Sequence, residues 1–263
     1  MMNIMKLNIS RIRLAGWCMT AGMLVLLTAC GEHSALKEET FRFAEVNRGW
    51  APAEGLGESF IMVDDHGITQ SFTQTQHSSY FTKSWSSFLG INTHMSHIEY
   101  THASWFSTFG SRYSQSLTAG SPPHGDYMFV GVDRTEFQYD VEKQVIMRID
   151  VPFGRLSRII TDTGYEDDEP IGSTVEHFDS LAVGGRIYEN VICFMLNDFQ
   201  SDWSSRTVTH IYLAKGIGLI RFVRHGGVVC DRVDAAHAGA PNLRLQPEVS
   251  ITTLGTRTAD TDI

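Results

Sequence analysis

The sequence predicts an all-β protein in which a mainly antiparallel meander forms a curved open sheet, a half-barrel or a sandwich. Many short segments alternate apolar and polar residues or are rich in β-branched and aromatic types, as strands are. Glycine-rich and proline-rich turn signals separate these segments, and no long, strongly periodic helix follows residue 30. Because consecutive strands with short links pair antiparallel, a meander is the expected topology.

The predicted strands follow one another at short intervals along the chain. They span residues 59–63, 68–73, 126–132, 134–139, 144–151, 156–161, 186–196, 207–214, 218–223 and 249–254. The turn signals between them are Asp65-His66-Gly67, Ser121-Pro122-Pro123, Gly184-Gly185, Lys215-Gly216 and Gly226-Gly227.

Residues 94–109 are ambiguous between helix and strand. A helix would place Met95, His102 and Trp105 on one face, whereas Ile98 and the neighbouring Tyr-Thr pair favour a strand. We predict a strand here, preceded by an aromatic-rich loop over 80–88 and a bend near residue 90.

The chain begins with the pattern of an export signal. Lys6, Arg11 and Arg13 precede an apolar stretch over 14–27, and no acidic residue occurs before Cys30. The apolar stretch is shorter than the roughly 20 residues that a bilayer-spanning helix needs. A cleaved signal is therefore favoured, and an uncleaved anchor helix with a chance cysteine behind it is the alternative.

The residues Leu27-Thr28-Ala29-Cys30 resemble the lipobox of bacterial lipoproteins. The resemblance implies cleavage before Cys30 and acylation of that cysteine, which would hold the protein at a membrane surface. Gly31 after the cysteine implies sorting to the outer membrane of the bacterial envelope. The expected organisation is a signal peptide over 1–29, a lipidated cysteine and tether over 30–40, and a single β-rich domain over 41–263.

The composition of the mature chain disfavours some partners. The signal carries three positive charges and no negative one, so the net charge of −9 for the whole chain becomes −12 after its removal. Such an acidic protein is a poor partner for nucleic acid or anionic lipid, and the charge is typical of simple solubility.

The cysteines limit the cross-links that can form. Cys18 lies in the signal and Cys30 is the expected lipidation site, which leaves Cys193 and Cys230 as a candidate disulfide in an exported protein. Two buried free thiols are the alternative, and the spacing does not decide between them.

A second resemblance lies in the C-terminal half. The run Tyr212-Leu213-Ala214-Lys215-Gly216-Ile217-Gly218-Leu219-Ile220 resembles the Y-x-A-x-G-V-G-L-V hairpin of many exported bacterial proteins. In several of these the hairpin belongs to a curved antiparallel sheet like that of the lipoprotein carriers LolA and LolB. The resemblance covers about residues 170–225 and implies an open or half-closed sheet, with a tight turn at Lys215-Gly216 and a bulge or close approach at Gly218. It implies no reaction.

Candidate chemistry is sparse, and we predict no catalytic residue, metal site or cofactor. His94, His97 and His102 lack the HExxH spacing, and a strand would separate them. The sequence Asp64-Asp65-His66-Gly67 reads as a β-turn. The acidic segment 162–169 reads as a solvated loop, with weak calcium binding as the alternative.

Aromatic residues are dense between Tyr80 and Tyr113, where they could fill a core or line a glycan or lipid groove. The favoured hypothesis is a lipid-anchored, non-enzymatic protein that binds an envelope component, a glycan or a partner protein. A carrier for lipid or lipoprotein would require a concave apolar cavity. A hydrolase would require Asp64, His66 or the histidines of 94–102 to converge on a nucleophile or a metal.

Overall fold

The computed structural model describes residues 37–88, 91–121, 124–151, 154–161, 164–167, 173–196 and 207–233, and these are almost entirely strand. One 3₁₀ helix lies at Glu45–Trp50 in this part of the chain. The strands are β1 (Lys37–Phe41), β2 (Ser59–Asp64), β3 (Thr69–Phe88), β4 (Ile91–Ser107), β5 (Arg112–Thr118), β6 (Tyr127–Val132), β7 (Thr135–Asp140), β8 (Val145–Val151), β9 (Gly154–Thr161), β10 (Gly164–Asp167), β11 (Ser173–Val183), β12 (Arg186–Leu196), β13 (Val208–Ala214), β14 (Gly218–Arg224) and β15 (Val229–Val233).

The predicted all-β meander is confirmed. The strand order is β10-β9-β8-β7-β6-β5-β4-β3-β2-β15-β14-β13-β12-β11. Strands adjacent in the chain are therefore adjacent in the sheet from β2 to β10 and from β11 to β15, while β15 pairs with β2 and β1 lies off this path against β4. That pairing is antiparallel and sets Cys230 opposite Asp64 and Val233 opposite Ile61. It joins the C-terminal half of the meander to the N-terminal half, and the result is one continuous sheet.

The chain divides into two compact units. The smaller comprises 1–42 and 81–99, and the larger comprises 43–80 and 100–263, so β3 and β4 contribute residues to both. In the smaller unit, β1 pairs parallel with β4, from Lys37 opposite His94 to Phe41 opposite Ile98.

Two predictions for this N-terminal region were wrong. Residues 37–40 were expected in a polar tether but belong to β1, where pairing with β4 satisfies the backbone that a tether would leave to water. Residues 80–88 were expected in a loop but continue β3, whose β-branched and aromatic residues suit an extended strand. The predicted strand over 94–109 is confirmed as part of β4.

The larger unit has a filled aromatic core on the concave face of its sheet. Phe60 stacks on Phe72 with ring centroids 5.3 Å apart, and Phe72 meets the edge of Phe222 at 6.5 Å. Phe137 of β7 stacks on Phe194 of β12 at 5.4 Å. These two strands lie far apart in the strand order, so the sheet of this unit curls until its two halves pack on each other. Complete burial of such rings contributes roughly 1.5–3 kcal/mol each.

The C-terminal hairpin has its predicted geometry. Residues 215–217 turn between β13 and β14, and the pairing shifts by one residue beside Tyr212 and Leu213, which is a bulge. Gly218 has a φ of +84°, and a Cβ there would lie 3.1 Å from the Tyr113 hydroxyl oxygen. Both the tight turn and the close approach are therefore confirmed. In the described part of the chain, no helix has the length and apolarity that a bilayer crossing requires.

Candidate functional site

A polar cleft of about 190 Å³ opens at one end of the concave face of the larger unit. It lies where β2 and β3 approach β15 and the turn between β13 and β14. The polar and aromatic side chains that line it include Glu58, Gln74, Trp105, Tyr113 and Arg232. The cleft therefore combines an acid, an amide, a guanidinium and aromatic rings.

Gln74 reaches the cleft because it continues the inward face of β3. It lies two residues after the core ring Phe72, and alternate strand residues share a face. Its Nε2 donates a hydrogen bond to the carbonyl of Ala53 at 3.0 Å. Its Oε1 is buried and accepts no hydrogen bond from any described residue. A buried, unpartnered carbonyl oxygen costs about 1–3 kcal/mol, so this atom is poised to accept a donor from a ligand or water.

Arg232 supplies the positive charge of the cleft. Its backbone pairs with Met62, and its guanidinium carbon lies 4.5 Å from the centroid of the Phe60 ring. Its Nη1 donates to the carbonyls of Ile217 and Leu219, at 3.2 and 3.4 Å. The ring and the two carbonyls fix the plane of the guanidinium at the cleft.

Glu58 supplies the negative charge on the opposite wall. Its side chain is exposed and folds over Gly55, where a Cβ would come within 2.7 Å of the carboxylate. The Gln74 backbone N–H donates to the Glu58 carbonyl, and the Gly57 N–H donates to the Gln74 carbonyl, which joins this wall to β3. The carboxylate therefore accepts from solvent or from a ligand at the cleft mouth.

Tyr113 and Trp105 form the aromatic floor. Their rings stack with centroids 4.6 Å apart, as expected of a directly opposed cross-strand pair. The Tyr113 hydroxyl donates to Gln115 Oε1, and Gln115 Nε2 donates to the Trp50 carbonyl at 2.6 Å. Burial raises the pKa of Tyr113, so the hydroxyl stays protonated and acts as a structural donor.

A second cleft of about 200 Å³ lies on the other face of β4 to β7 in the larger unit. Its lining includes Tyr100, His102, Ser114, Ser116, Phe129 and Glu136. His102 stacks on Tyr100 at 6.3 Å and its Nε2 lies 3.0 Å from the Ser104 hydroxyl. Desolvation lowers the pKa of His102, which favours the neutral imidazole. The histidine is thus a structural element of an aromatic and hydroxyl-bearing surface.

The predicted turn at Asp64 is confirmed. Asp64 Oδ1 accepts hydrogen bonds from the backbone N–H groups of His66 and Ile68, at 3.0 and 2.7 Å, and Gly67 has a φ of +78°. The carboxylate caps its own turn, as an Asx-type turn does. His66 is exposed, and the arrangement does not form a nucleophile–base pair.

The histidines of 94–102 have separate surroundings. His94 Nε2 lies 3.4 Å from a carboxylate oxygen of Glu39 in the smaller unit, whereas His102 bonds Ser104 in the larger one. Within the described ranges, no three His, Cys, Asp or Glu side chains are placed to hold a metal ion.

The candidate disulfide between Cys193 and Cys230 is absent, and both are buried free thiols. β13 and β14 separate their strands, a distance of about 14 Å along the sheet at the usual strand spacing. A disulfide needs Cα atoms within about 7 Å. The pairing register also places Cys193 on the face of Asp231, opposite to that of Cys230. Burial raises the pKa of each thiol to about 12.

Three sequence predictions fall outside the described residues. They are Cys30 with the segment before it, the strand predicted over 249–254, and the side chains of the acidic segment 162–169. Glu58, Gln74 and Arg232 were not predicted from the sequence, because no sequence motif contains them. A weak signal was available in Gln70 and Gln74, which alternate with Phe72 on the inward face of a strand.

Comparison with known proteins adds no assignment. No protein-family model, no curated protein and no solved structure matches this chain.

Proposed function

We propose that the protein is a lipid-anchored binding protein of the bacterial envelope, without catalytic activity, whose cleft takes one unit of a hydroxyl-rich glycan. The observation that carries the proposal is the buried Gln74 Oε1, which accepts no hydrogen bond from the described residues and faces a cleft that also presents Glu58, Arg232 and Trp105. A protein leaves such an oxygen unpaired at a cost, and a ligand hydroxyl can satisfy it.

The chemistry of the cleft favours a sugar over other small ligands. Vicinal hydroxyl groups both donate and accept hydrogen bonds, so they match a carboxylate and an amide oxygen on one side and a guanidinium on the other. The Trp105 ring offers an apolar surface for the C–H groups of a pyranose. The volume of about 190 Å³ is below the roughly 300–1,000 Å³ of most ligand pockets, which suits one ring of a longer chain.

The anchor rests on the residues Leu27-Thr28-Ala29-Cys30, and outer-membrane sorting rests on Gly31. The first described strand begins at Lys37, seven residues after Cys30, so the acylated cysteine would hold the smaller unit close to its membrane. Intact mass measurement of the native protein should give a chain that starts at Cys30 and carries acyl groups. Cys30→Ala should release the protein from membranes.

The two alternative functions have less support. A carrier for lipid or lipoprotein needs an apolar cavity, but Phe60, Phe72, Phe222 and their neighbours fill the concave face of the larger unit. A hydrolase needs an accessible nucleophile beside an activating base, but Asp64 caps its own turn. The hydroxyl that bonds His102 belongs to Ser104, which is buried and does not line the second cleft.

The glycan proposal is tested by saturation-transfer NMR and calorimetry with monosaccharides, N-acetylated amino sugars and the repeating disaccharide of peptidoglycan. Gln74→Met should weaken binding of the best ligand about tenfold or more, since about 1.4 kcal/mol of hydrogen bonding is lost. Gln138→Met on β7 is the matched control, because Gln138 does not line the cleft. Equal affinity in both variants, or no binding to any sugar, would overturn the proposal.

A further inference from the structure

A strip of aromatic and basic side chains lies exposed on the smaller unit. Phe81, Lys83 and Trp85 occupy alternate positions of β3, so they share one face of the strand. The two rings are 41% and 50% exposed. Arg42, just after β1, extends the strip, with its guanidinium carbon 5.3 Å from the centroid of the Phe81 ring. Large rings exposed beside basic side chains mark an interaction surface.

The direction of β1 places this strip at the anchored end of the chain. β1 pairs parallel with β4, and Lys37 lies opposite His94, three residues after the start of β4 at Ile91. β1 therefore begins near the end of the sheet where β3 ends and β4 begins. Seven residues separate Cys30 from Lys37, a reach of at most about 25 Å.

Trp85 lies close to the level at which β1 begins. The Thr82 hydroxyl donates to the carbonyl of Ile98, which sets the alignment of the antiparallel strands β3 and β4. Counting along both strands from this contact brings Trp85 near the level of Met95, which is opposite Glu38 of β1. The acylated cysteine and the exposed ring of Trp85 are thus within one short tether of each other.

We infer that the Phe81–Lys83–Trp85 strip is a membrane-contacting surface, whose rings enter the interfacial layer of the bilayer in which the Cys30 lipid is embedded. This inference rests on the proposed lipidation. Trp and Phe rings partition into that layer, while Lys and Arg lay their alkyl stems along it and keep their charges in water.

The exposed rings of the strip, and not its net charge, favour the bilayer interface as the partner. The acidic side chains Glu38, Glu39 and Glu99 lie on the adjoining strands, and Glu39 already pairs with His94. Lys83 and Arg42 therefore give no strong positive surplus. The expected contact is with the interface of any fluid phospholipid bilayer, including one without anionic lipid.

The test uses the natively processed protein, reconstituted into phosphatidylcholine vesicles with and without bromine on the acyl chains near the headgroup. Brominated lipid should quench part of the tryptophan fluorescence. Trp85→Phe should remove most of the bromine-sensitive part, whereas Trp105→Phe, which changes a ring of the polar cleft, should leave it. Equal urea unfolding midpoints for the two variants exclude misfolding as the cause.

The outcomes separate the strip from the anchor. If intact mass shows acylation but Trp85→Phe retains the full bromine sensitivity, or the wild type shows none, the membrane-contact inference is overturned and the anchor stands. If the mass shows a chain from Cys30 without acyl groups, lipidation is wrong. The protein is then coupled through Cys30 to a maleimide lipid, which the buried Cys193 and Cys230 do not compete for, and the same comparison decides on the strip.

Discussion

Charged side chains on the two faces of β14 and β15 have different surroundings. On the convex face, Arg221 and Asp231 form a bidentate ion pair, with Nη2 to Oδ2 at 2.7 Å, and the Asp231 side chain is only 1% exposed. On the concave face, Arg232 rests on the Phe60 ring beside a cleft that holds the unpartnered Gln74 Oε1. Neighbouring residues of one strand thus serve two purposes. Polar groups that satisfy one another stabilise the fold, whereas the Gln74 Oε1, to which no described residue donates, is available to a ligand.

The convex face is closed by further packing around the ion pair. The Tyr212 ring lies 5.7 Å from the Arg221 guanidinium carbon, and Cys193 lies opposite Tyr212 in the register. Burial raises the pKa of Tyr212, so this group adds no negative charge near the pair at neutral pH. We therefore expect substitutions on the convex face to change the stability of the fold, and substitutions in the cleft to change ligand binding.

The largest expected effect is that of Asp231→Ala on stability. It would leave the guanidinium of Arg221 half-buried without its carboxylate, and breaking a buried ion pair by removing one partner costs about 3–5 kcal/mol. Urea denaturation followed by circular dichroism should show this loss. Asp150→Ala is the control, because the Arg148–Asp150 pair is more exposed and pairs near the surface contribute about 0–1 kcal/mol. Similar losses of unfolding free energy in both variants would mean that the Arg221–Asp231 pair stabilises the fold no more than an ion pair near the surface.

The second largest loss of stability is expected in the hairpin that connects β13 and β14. Gly218→Ala combines an unfavourable φ of +84° with a Cβ only 3.1 Å from the Tyr113 hydroxyl, and we expect a loss of about 1–3 kcal/mol. Gly216→Ala is the matched control, because its φ of +76° is similar but nothing lies within 4 Å of its Cβ. The difference between the stability losses of Gly218→Ala and Gly216→Ala measures the cost of the close approach to Tyr113 alone. Equal losses would show that the Tyr113 hydroxyl can move aside at no cost.

That hairpin also illustrates what the sequence could predict. Its turn residues Lys215-Gly216 lie between two runs of alternating apolar residues. This signal is local, so the hairpin can be recognised without knowledge of the rest of the fold. β1, β5, β10, β11 and β15 were not predicted, and β5 and β11 show why. β5 buries Gln115 and Ser116 beside Leu117, so its polar residues hide the alternation, and most of β11 is exposed. Local patterns identify strands whose two faces differ in polarity and miss strands whose faces do not.

The cleft could not be predicted for a different reason. Glu58 and Gln74 lie on or beside consecutive strands, but Arg232 joins them only because β15 pairs with β2. This pairing links residues about 170 positions apart, and no local signal in either strand encodes it. The same topology separates Cys193 from Cys230, which sequence alone could not decide.

A smaller effect is expected from pH on the convex face. His210 stacks on Tyr212 at 6.4 Å, and desolvation lowers its pKa, with Glu176 raising it in part. A histidine whose pKa is lower in the folded state binds protons more readily when unfolded, so stability falls as pH drops below the unfolded value of about 6.5. The unfolding free energy should therefore decrease from pH 7.5 to 5.5, and His210→Gln should reduce that decrease. An equal decrease in the variant would assign the pH dependence to other groups.

The smallest expected change in stability is that of Gln74→Met, and it is the sharpest test of the comparison. The substitution removes the Nε2 hydrogen bond to Ala53, which contributes about 1 kcal/mol, but it also removes the unpartnered Oε1, whose burial costs about 1–3 kcal/mol. The two terms oppose each other, so the unfolding free energy should change by less than about 1 kcal/mol in urea titrations, although ligand binding weakens about tenfold or more. A loss above about 2 kcal/mol would make Gln74 a structural residue like Asp231. The cleft would then be part of the closed core, because a polar group that the fold itself depends on has no spare bonding capacity for a ligand.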